Sequence, residues 1–294
     1  MALPQRLVEQ SRRFDAGDEA PAEPRNAASV LLLRSGDSES AGDSSDAGPE
    51  VYLMRRQKTM AAFGGMWVFP GGSVDPSDDD PALRWAGPTP QEWAEALGVD
   101  ESLARSLVCA AVRETFEESG VLLAGPDATS VVADTTGDDW EADRVALEAH
   151  ELSFHDFLLR RGLVLRSDLL GPLSGWLTPI FEPRRFRTWF FVALLPEGQV
   201  TRDISSESSA VEWRTAASAV REALAGNVMM MPPTFQNCLE VAQHATAHEV
   251  LTATADRRIE MFMPEVAEAG DGEFALTQHP QWEALMRSSG LASS

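Results

Sequence analysis

The sequence predicts the α/β (α+β) class with a mixed sheet, as either an α+β fold or an α/β/α sandwich. Two observations favour this class. Apolar runs typical of strands occur at 27–34 and 188–195, and helical patterns lie between them without the regular alternation of βαβ units. The chain has 294 residues, 44% of them hydrophobic, which is enough for a sizeable core.

The first predicted elements form a β-hairpin. Residues 1–25 are polar and charged without a clear period, so we expect a flexible arm. An apolar strand at 27–34 is followed by the acidic segment 35–50 and by a second strand at 51–56, which predicts a hairpin with a long exposed tip. The apolar run 66–72 then ends at Pro-Gly-Gly, where backbone can approach a ligand closely.

The strongest helical pattern in the chain lies at 101–119. Further predicted elements are helices at 91–97, 153–161, 216–224 and 232–254, strands at 177–181 and 188–195, and an extended segment at 258–263. We divide the chain into a flexible N-terminal arm at 1–25, a main domain at 26–226 with an insertion at about 79–105, and a C-terminal helical extension at 227–294 packed on the same domain.

The charge balance is strongly acidic. With 24 Lys and Arg against 46 Asp and Glu, the formal net charge is −22, which disfavours nucleic acid and anionic membranes as partners because their phosphates would be repelled. No apolar run is long enough to cross a bilayer, and the N-terminus lacks a secretion signal. Cys109 and Cys238 are far apart and are typical of small core residues, so we expect a cytoplasmic protein.

The helix at 101–119 carries three glutamates on one face. At about 100° per residue, Glu114, Glu117 and Glu118 point in the same direction, and the earlier turns of their stripe are apolar. A second apolar face lies opposite, so we expect a helix covered on two sides whose acidic end opens into a cleft. Clustered carboxylates suit Mg²⁺ or Mn²⁺. A solvated acidic helix face is the alternative that the residues alone leave open.

The segment 113–121, Arg-Glu-Thr-Phe-Glu-Glu-Ser-Gly-Val, resembles the core of the Nudix box, R-E-U-x-E-E-x-G-U. Gly72 matches the glycine that opens the full box, and Asp78 stands where the family has Glu. Because 34 residues rather than seven separate Asp78 from Arg113, the box resembles that of the coenzyme A diphosphatase-like branch, which has an insertion here. The resemblance implies a Nudix-type fold and hydrolysis of nucleoside diphosphates linked to another group. Further segments that resemble this branch are 69–72, 176–179, 184–188 and 232–234.

The resemblance also implies roles for individual residues. The implied metal ligands, for Mg²⁺ or Mn²⁺, are Gly71, Glu114, Glu117, Glu118 and Glu207. The implied catalytic residues are Arg113, Glu114, Glu118 and Glu207, and the choice of general base stays open between Glu114 and Glu207. Arg113 is implied to pair with Asp78, and Gly120 is implied to end the helix with a positive φ.

The expected reaction is cleavage of CoA or acyl-CoA at the diphosphate, giving 3′,5′-ADP and phosphopantetheine. Arg56 and Gly65 match a CoA motif of the branch, but Ala61 replaces an Arg of that motif, and Lys58, the only lysine, is a candidate substitute. The candidate substrate-binding residues are Arg56, Lys58, Phe69 and Arg185. Alternative substrates are ADP-ribose, NADH or another nucleotide conjugate, and the alternative function is a non-catalytic nucleotide-sensing module. We expect a small-molecule partner and a monomer or homodimer.

Two further patterns have more than one interpretation. The apolar residues Phe154, Phe157, Leu158 and 229–231 are either core or the wall of an acyl or pantetheine groove. His244 and His248 are four residues apart on the predicted helix at 232–254, but no third ligand stands near them, so we expect no metal site there.

Overall fold

The computed structural model describes residues 5–36, 48–57, 64–206, 208–270 and 273–291. Its strands are β1 (Arg25–Ser35), β2 (Pro49–Arg56), β3 (Trp67–Val68), β4 (Gly71–Ser73), β5 (Trp85–Ala86), β6 (Ala124–Gly125), β7 (Val164–Arg166), β8 (Leu170–Leu177), β9 (Phe186–Leu194), β10 (Ser208–Thr215), β11 (Met261–Phe262), β12 (Val266–Gly270) and β13 (Glu273–Leu276). Its helices are α1 (Gln5–Asp15), α2 (Pro90–Leu97), α3 (Glu101–Ser119), α4 (Asp138–Glu148), α5 (Phe154–Arg161), α6 (Ala216–Leu224), α7 (Pro232–Val241), α8 (Ala247–Thr254) and α9 (Trp282–Ser289).

The main sheet is mixed, as predicted. Its strand order is β10-β2-β1-β9-β8-β11, with β3 added to β2 and β4 added to β1. The central strands β1 and β9 run parallel, whereas β1 pairs antiparallel with both β2 and β4. A small second sheet of β5, β7 and β6 forms beside α5.

Helices cover both faces of the main sheet, which confirms the predicted sandwich. Because side chains alternate along a strand, Val30 and Leu32 of β1 face one core with α2, α3 and α5, while Leu31 and Leu33 face a second core with α6, α7 and α8. All four side chains are fully buried. This explains why β1 is a continuous apolar run rather than an alternating one.

The predicted helix at 101–119 is α3, with the same bounds. The Asp100 side chain accepts a hydrogen bond from the Leu103 N–H at the start of the helix, and Gly120 closes its end in the left-handed region with φ of 77°. Both predicted apolar faces are buried, so the helix is enclosed on two sides. Gly120 therefore adopts the conformation that the resemblance implied.

Two predicted elements are placed differently by the structure. The strand expected at 177–181 lies upstream as β8, because Pro179 lacks the N–H that would continue a ladder, while Pro172 is accommodated at a register shift. The single helix expected at 232–254 is two helices, α7 and α8, since Thr246 caps a new start and accepts from the Glu249 N–H. His244 and His248 consequently do not share one helix.

The N-terminal end of the described chain contains a helix that its composition did not predict. Residues 5–15, expected to belong to a flexible arm, form α1, in which Val8 is 1% exposed. The Arg12 guanidinium lies 4.9 Å from the centroid of the Phe274 ring, so α1 contacts the hairpin of β12 and β13. These residues are therefore helical, and α1 contacts a segment about 260 residues away in the chain. The division of the chain into an arm, a main domain and an extension stays a prediction.

The helix α4 was also missed, because its first turn is acidic and its buried side chains are few. The tip of the β1–β2 hairpin, predicted as an exposed loop at 35–50, lies largely outside the described residues. Within the described parts of the chain, no helix is both long and apolar enough to span a membrane.

Candidate active site

A cleft with a volume of about 660 Å³ lies against β1, β4, β8 and β9 of the main sheet. Its polar end is formed by α3 and β4, and its apolar end is formed by β8 and β9 together with residues from both ends of the chain. We call these the acid end and the apolar end. The acid end contains Gly71, Gly72, Arg113, Glu114, Glu117, Glu118 and Glu148, and the apolar end contains Leu7, Phe69, Trp176, Phe181, Phe190, Pro232, Pro264 and Leu276.

The acid end is built by the close approach of β4 to α3. The Gly71 N–H donates to Oε2 of Glu118 at 2.7 Å. A side chain on Gly71 would collide with the backbone of β1, and one on Gly72 would collide with the Glu114 carboxylate. A β-carbon at Gly71 is therefore excluded by the backbone of β1, whereas one at Gly72 would displace the Glu114 carboxylate.

Arg113 organises the carboxylates around it. Its Nε and Nη2 donate to the two oxygens of Asp78, both at 3.0 Å, and Nη2 also reaches the Ser73 carbonyl at 3.2 Å. Its Nη1 lies 2.9 Å from Glu114 and 3.2 Å from Glu117. Asp78 is fully buried and Arg113 is 5% exposed, so this is a two-point buried ion pair across the inserted segment.

Burial dominates the electrostatics of the acid end. It raises the pKa of Glu114 to about 7, although Arg113 acts in the opposite direction. Burial likewise raises the pKa of Glu117 against the influence of Arg113. For Arg113 itself, burial disfavours the charge, but Glu114 and Asp78 outweigh it and raise the pKa of the guanidinium. The single Arg113 guanidinium therefore does not outweigh burial, and the pKa values of Glu114 and Glu117 stay raised.

The donor set fits a hard divalent cation. In the described residues, no group of three acidic, histidine or cysteine side chains is spaced to hold a metal ion, and Nη1 of Arg113 contacts both Glu114 and Glu117. A cation bound by these carboxylates would replace the Nη1 contacts and would leave the bonds of Nε and Nη2 to Asp78 in place. The three glutamates offer only oxygen atoms, which is the preference of Mg²⁺ and Mn²⁺.

A second buried arginine connects α3 to a loop at the rim of the cleft. Arg144 of α4 donates through Nη1 to the Glu117 carbonyl at 2.7 Å and to Glu148 at 2.9 Å. Glu148 lines the cleft and accepts hydrogen bonds from the Ser206 N–H and hydroxyl. Sequence reasoning missed Glu148, because nothing in the acidic segment before it distinguishes this glutamate from solvated ones.

The floor of the cleft is one row of residues across the sheet. Ser73 pairs with Ala27, Ala27 with Thr188, and Thr188 with Trp176. The row therefore leads from the residue whose carbonyl binds Arg113 to the tryptophan at the apolar end, over three strand spacings or about 14 Å. The small side chains of Ala27 and Thr188 in the middle of the row leave open space above the sheet.

A sequence model described as the NUDT19 Nudix domain matches residues 89–241, just over half of the chain. The chain belongs to this Nudix family. Acyl-coenzyme A diphosphatase NUDT19 of Xenopus laevis is 25% identical to it over 259 residues, which are 76% of this chain and 68% of that protein. The Gallus gallus protein of the same name is 25% identical over 292 residues, covering 84% of this chain and 76% of the relative.

The fold comparison agrees with the family assignment. A crystal structure of a NUDIX hydrolase from Alicyclobacillus acidocaldarius superposes with a TM-score of 0.67 and 25% sequence identity, covering 80% of this chain and 98% of that one. The protein is thus a Nudix hydrolase, and the predicted branch with a box interrupted by an insertion is confirmed. The insertion holds β5 and α2 and returns to the box at α3.

The structure brings most of the predicted Nudix site residues together. The cleft is lined by Gly71, Arg113, Glu114, Glu117, Glu118, Arg56 and Phe69. Arg185 is not in the cleft lining, because its guanidinium donates to the carbonyls of Ala22 and Thr178. Lys58, Ala61 and Glu207 lie outside the described residues. The pairing of Arg113 with Asp78, implied by the resemblance, is present.

The apolar residues that were either core or groove wall are distinguished by their burial. Phe154, Phe157 and Leu158 are core residues, each at most 1% exposed. Met231 lines the cleft, whereas Met229 is 58% exposed. Of the residues that line the apolar end, Leu7, Pro264 and Leu276 carried no sequence signal, because only the folded chain brings its two ends to this cleft.

Proposed function

We propose that this Nudix hydrolase cleaves the diphosphate of CoA or acyl-CoA, with Mg²⁺ or Mn²⁺ bound at the acid end. Water adds to one phosphorus and the bridging P–O bond breaks, which yields 3′,5′-ADP and phosphopantetheine or its acyl derivative. The observation that carries the proposal is one cleft with a carboxylate cluster at one end and an apolar surface at the other. The relatives named acyl-coenzyme A diphosphatase support it.

At the acid end, Glu114, Glu117 and Glu118 hold the cation. When bound, the cation neutralises charge on the diphosphate and lowers the pKa of a coordinated water. Glu118 is oriented by the Gly71 N–H, and Arg113 keeps the helix and the inserted segment in register through Asp78. The general base is Glu114 or Glu207.

Substrate phosphates need cations from the protein as well. Arg56, at the end of β2, lines the cleft and is the candidate phosphate contact. Arg185 is the weaker candidate, because it does not line the cleft and donates to the carbonyls of Ala22 and Thr178. Lys58 follows Arg56 by two residues and is the candidate replacement for the arginine absent at Ala61. The acidic cleft then accepts a diphosphate through the bound cation and these basic residues.

The choice of CoA over ADP-ribose or NADH depends on the apolar end. Both of those alternatives carry a polar ribose on each side of the diphosphate, whereas CoA presents a long, largely apolar pantetheine arm on one side. Phe69 packs edge-on against Phe190, with 6.5 Å between ring centroids, and Trp176 continues this apolar surface. Such a surface favours the CoA arm.

The proposal is tested with a substrate panel and one variant pair. Purified protein with Mg²⁺ is incubated with CoA, acetyl-CoA, ADP-ribose and NADH, and the products are identified by mass. We expect CoA and acetyl-CoA to be cleaved fastest. Glu118→Gln should lower kcat by at least about 10²-fold, because a charged ligand is replaced by a neutral one.

Glu101→Gln is the matched control, since Glu101 lies on the same helix and is 56% exposed at its side chain. It should leave kcat unchanged. Equal turnover by Glu118→Gln and the wild type would contradict the assigned role of Glu118. Cleavage of ADP-ribose or NADH without cleavage of either CoA form would contradict the assigned substrate.

A further inference from the structure

A second, smaller cavity continues the apolar end of the cleft. It has a volume of about 160 Å³ and shares Trp176, Pro232, Pro264 and Leu276 with the cleft wall. Its remaining wall is Thr277, Gln278 and His279, from the segment between β13 and α9, and Trp282 at the start of α9. We call it the side cavity.

The side cavity is lined mainly by aromatic and apolar side chains, and its polar members Thr277, Gln278 and His279 carry no formal negative charge. No Asp, Glu, Lys or Arg is among the described residues that line it. The Trp176 ring stacks on His279 at 5.4 Å and meets the edge of Phe262 at 5.1 Å, while Trp282 stacks on Phe235 at 5.0 Å. Burial lowers the pKa of His279, so this wall is uncharged at neutral pH.

The side cavity stands at a defined distance from the reacting end. Trp176 is the last residue of the row Ser73–Ala27–Thr188–Trp176, about 14 Å from the strand that touches Arg113. A ligand whose diphosphate lies at the acid end therefore reaches the side cavity only through a long connecting arm across Ala27 and Thr188.

We propose that the side cavity binds the acyl group of an acyl-CoA thioester and limits it to about six carbons. The proposal rests on the proposed CoA diphosphatase function and adds to it a subsite and a chain-length preference. Its size carries the limit, because a cavity of about 150 Å³ lined by apolar side chains accommodates benzene, a six-carbon ring. Each buried methylene contributes roughly a fourfold gain in affinity.

An adenine base is the competing occupant and fits this cavity less well. The ring nitrogens and amino group of adenine need hydrogen-bond partners when buried. The Thr277 hydroxyl already accepts from the Glu265 N–H, and one face of Trp176 is covered by His279. Aliphatic carbons have no such requirement.

Two variants at opposite walls test the proposal. Leu276→Trp fills the mouth of the side cavity, and Trp282→Ala enlarges its far end without touching the cleft. The controls are Ala275→Trp, which adds the same bulk on the opposite face of β13, and Leu285→Ala, which truncates a neighbour of Trp282 that does not line the cavity. The measurement is kcat/KM for CoA, acetyl-CoA, hexanoyl-CoA and decanoyl-CoA with Mg²⁺.

We expect the wild type to prefer hexanoyl-CoA to decanoyl-CoA. Because Leu276 also lines the apolar end of the cleft, Leu276→Trp should lower kcat/KM for every CoA compound, and that for hexanoyl-CoA about tenfold more than that for CoA. Trp282→Ala should raise the ratio of decanoyl-CoA to hexanoyl-CoA by about fivefold, and both controls should match the wild type.

The failures of the two proposals are distinguishable. If the wild type cleaves no CoA compound, the proposed function fails and this subsite with it. If CoA compounds are cleaved but the chain-length ratios are the same in wild type and Trp282→Ala, only the acyl subsite is overturned. Should Leu276→Trp lose activity toward every substrate, the test rests on Trp282→Ala, in which an unchanged ratio of decanoyl-CoA to hexanoyl-CoA overturns the acyl subsite. A loss of CoA cleavage equal to that of hexanoyl-CoA in both variants would instead indicate adenine in the cavity and would overturn the proposal.

Discussion

The two ends of the cleft are built in opposite ways. At the acid end, Arg113 and the three glutamates come from two turns of one helix, and Gly71 and Asp78 are the main additions from elsewhere. At the apolar end, Leu7, Trp176, Pro232 and Leu276 come from segments spread over almost the whole chain. The first is a local motif positioned by charge, and the second is a surface assembled by tertiary packing.

This difference has an energetic consequence. Charges at the acid end are buried and mutually dependent, so the loss of one partner leaves others uncompensated. Contacts at the apolar end are many and individually small, so the loss of one side chain removes only its own share of buried area. Substitutions should therefore have large effects at the acid end, smaller effects at its rim, and the smallest effects at the apolar end.

The largest effect on stability is expected from Asp78→Ala. Asp78 is fully buried, binds Arg113 at two points, and accepts from the Asp75 N–H at 2.8 Å. Its removal leaves the buried guanidinium with Glu114, Glu117 and the Ser73 carbonyl, and should lower the free energy of unfolding by about 3–5 kcal/mol. Urea unfolding followed by circular dichroism measures this.

The control for this prediction is Asp79→Ala, one residue further along. Asp79 pairs with Arg105 at 2.7 Å, but its side chain is 36% exposed, so the loss should be below about 1 kcal/mol. Equal destabilisation by the two variants would show that the acid end is no more charge-dependent than the surface.

An intermediate effect is expected from Glu148→Gln. Gln keeps the shape and one acceptor oxygen, but it removes the charge that pairs with Arg144 and binds Ser206. Since Arg144 also holds the Glu117 carbonyl, we expect kcat/KM for CoA to fall by about tenfold with little change in Tm. Glu151→Gln, an exposed glutamate just beyond α4, is the matched control. Wild-type activity in Glu148→Gln would show that the contacts of α4 do not affect catalysis at the acid end.

The smallest effect is expected from Leu7→Ala at the apolar end. Leu7 contributes one half-buried side chain of α1 to the cleft wall, so its truncation should raise KM about threefold and leave kcat unchanged. Steady-state kinetics with CoA measure both constants. Glu9→Ala, an exposed residue of the same helix, should change neither. A fall in kcat for Leu7→Ala would mean that the apolar end also positions the reacting bond.

The acid end was predictable because its chemistry is local. Glutamates at three- and four-residue spacing share a helix face whatever surrounds the helix, and the residue types of Pro-Gly-Gly alone indicate a close backbone approach. The pairing of Asp78 with Arg113 was implied by the family resemblance despite the insertion between them, and the structure contains it. Glu148 could not be found in this way, because its role comes from α4 packing beside α3.

What the sequence determined by itself was therefore the sandwich class, the helix α3 with its bounds, the β1–β2 pairing and the carboxylate face, all of which depend on periodicity and short-range backbone chemistry. Only the tertiary structure decided that α1 is folded, that the helix predicted at 232–254 is two helices, that Arg185 binds backbone carbonyls, and that an apolar surface and a side cavity stand opposite the carboxylates. The physical reason is that burial and apolar contact are properties of distant segments brought together, and no local pattern records which segments will meet.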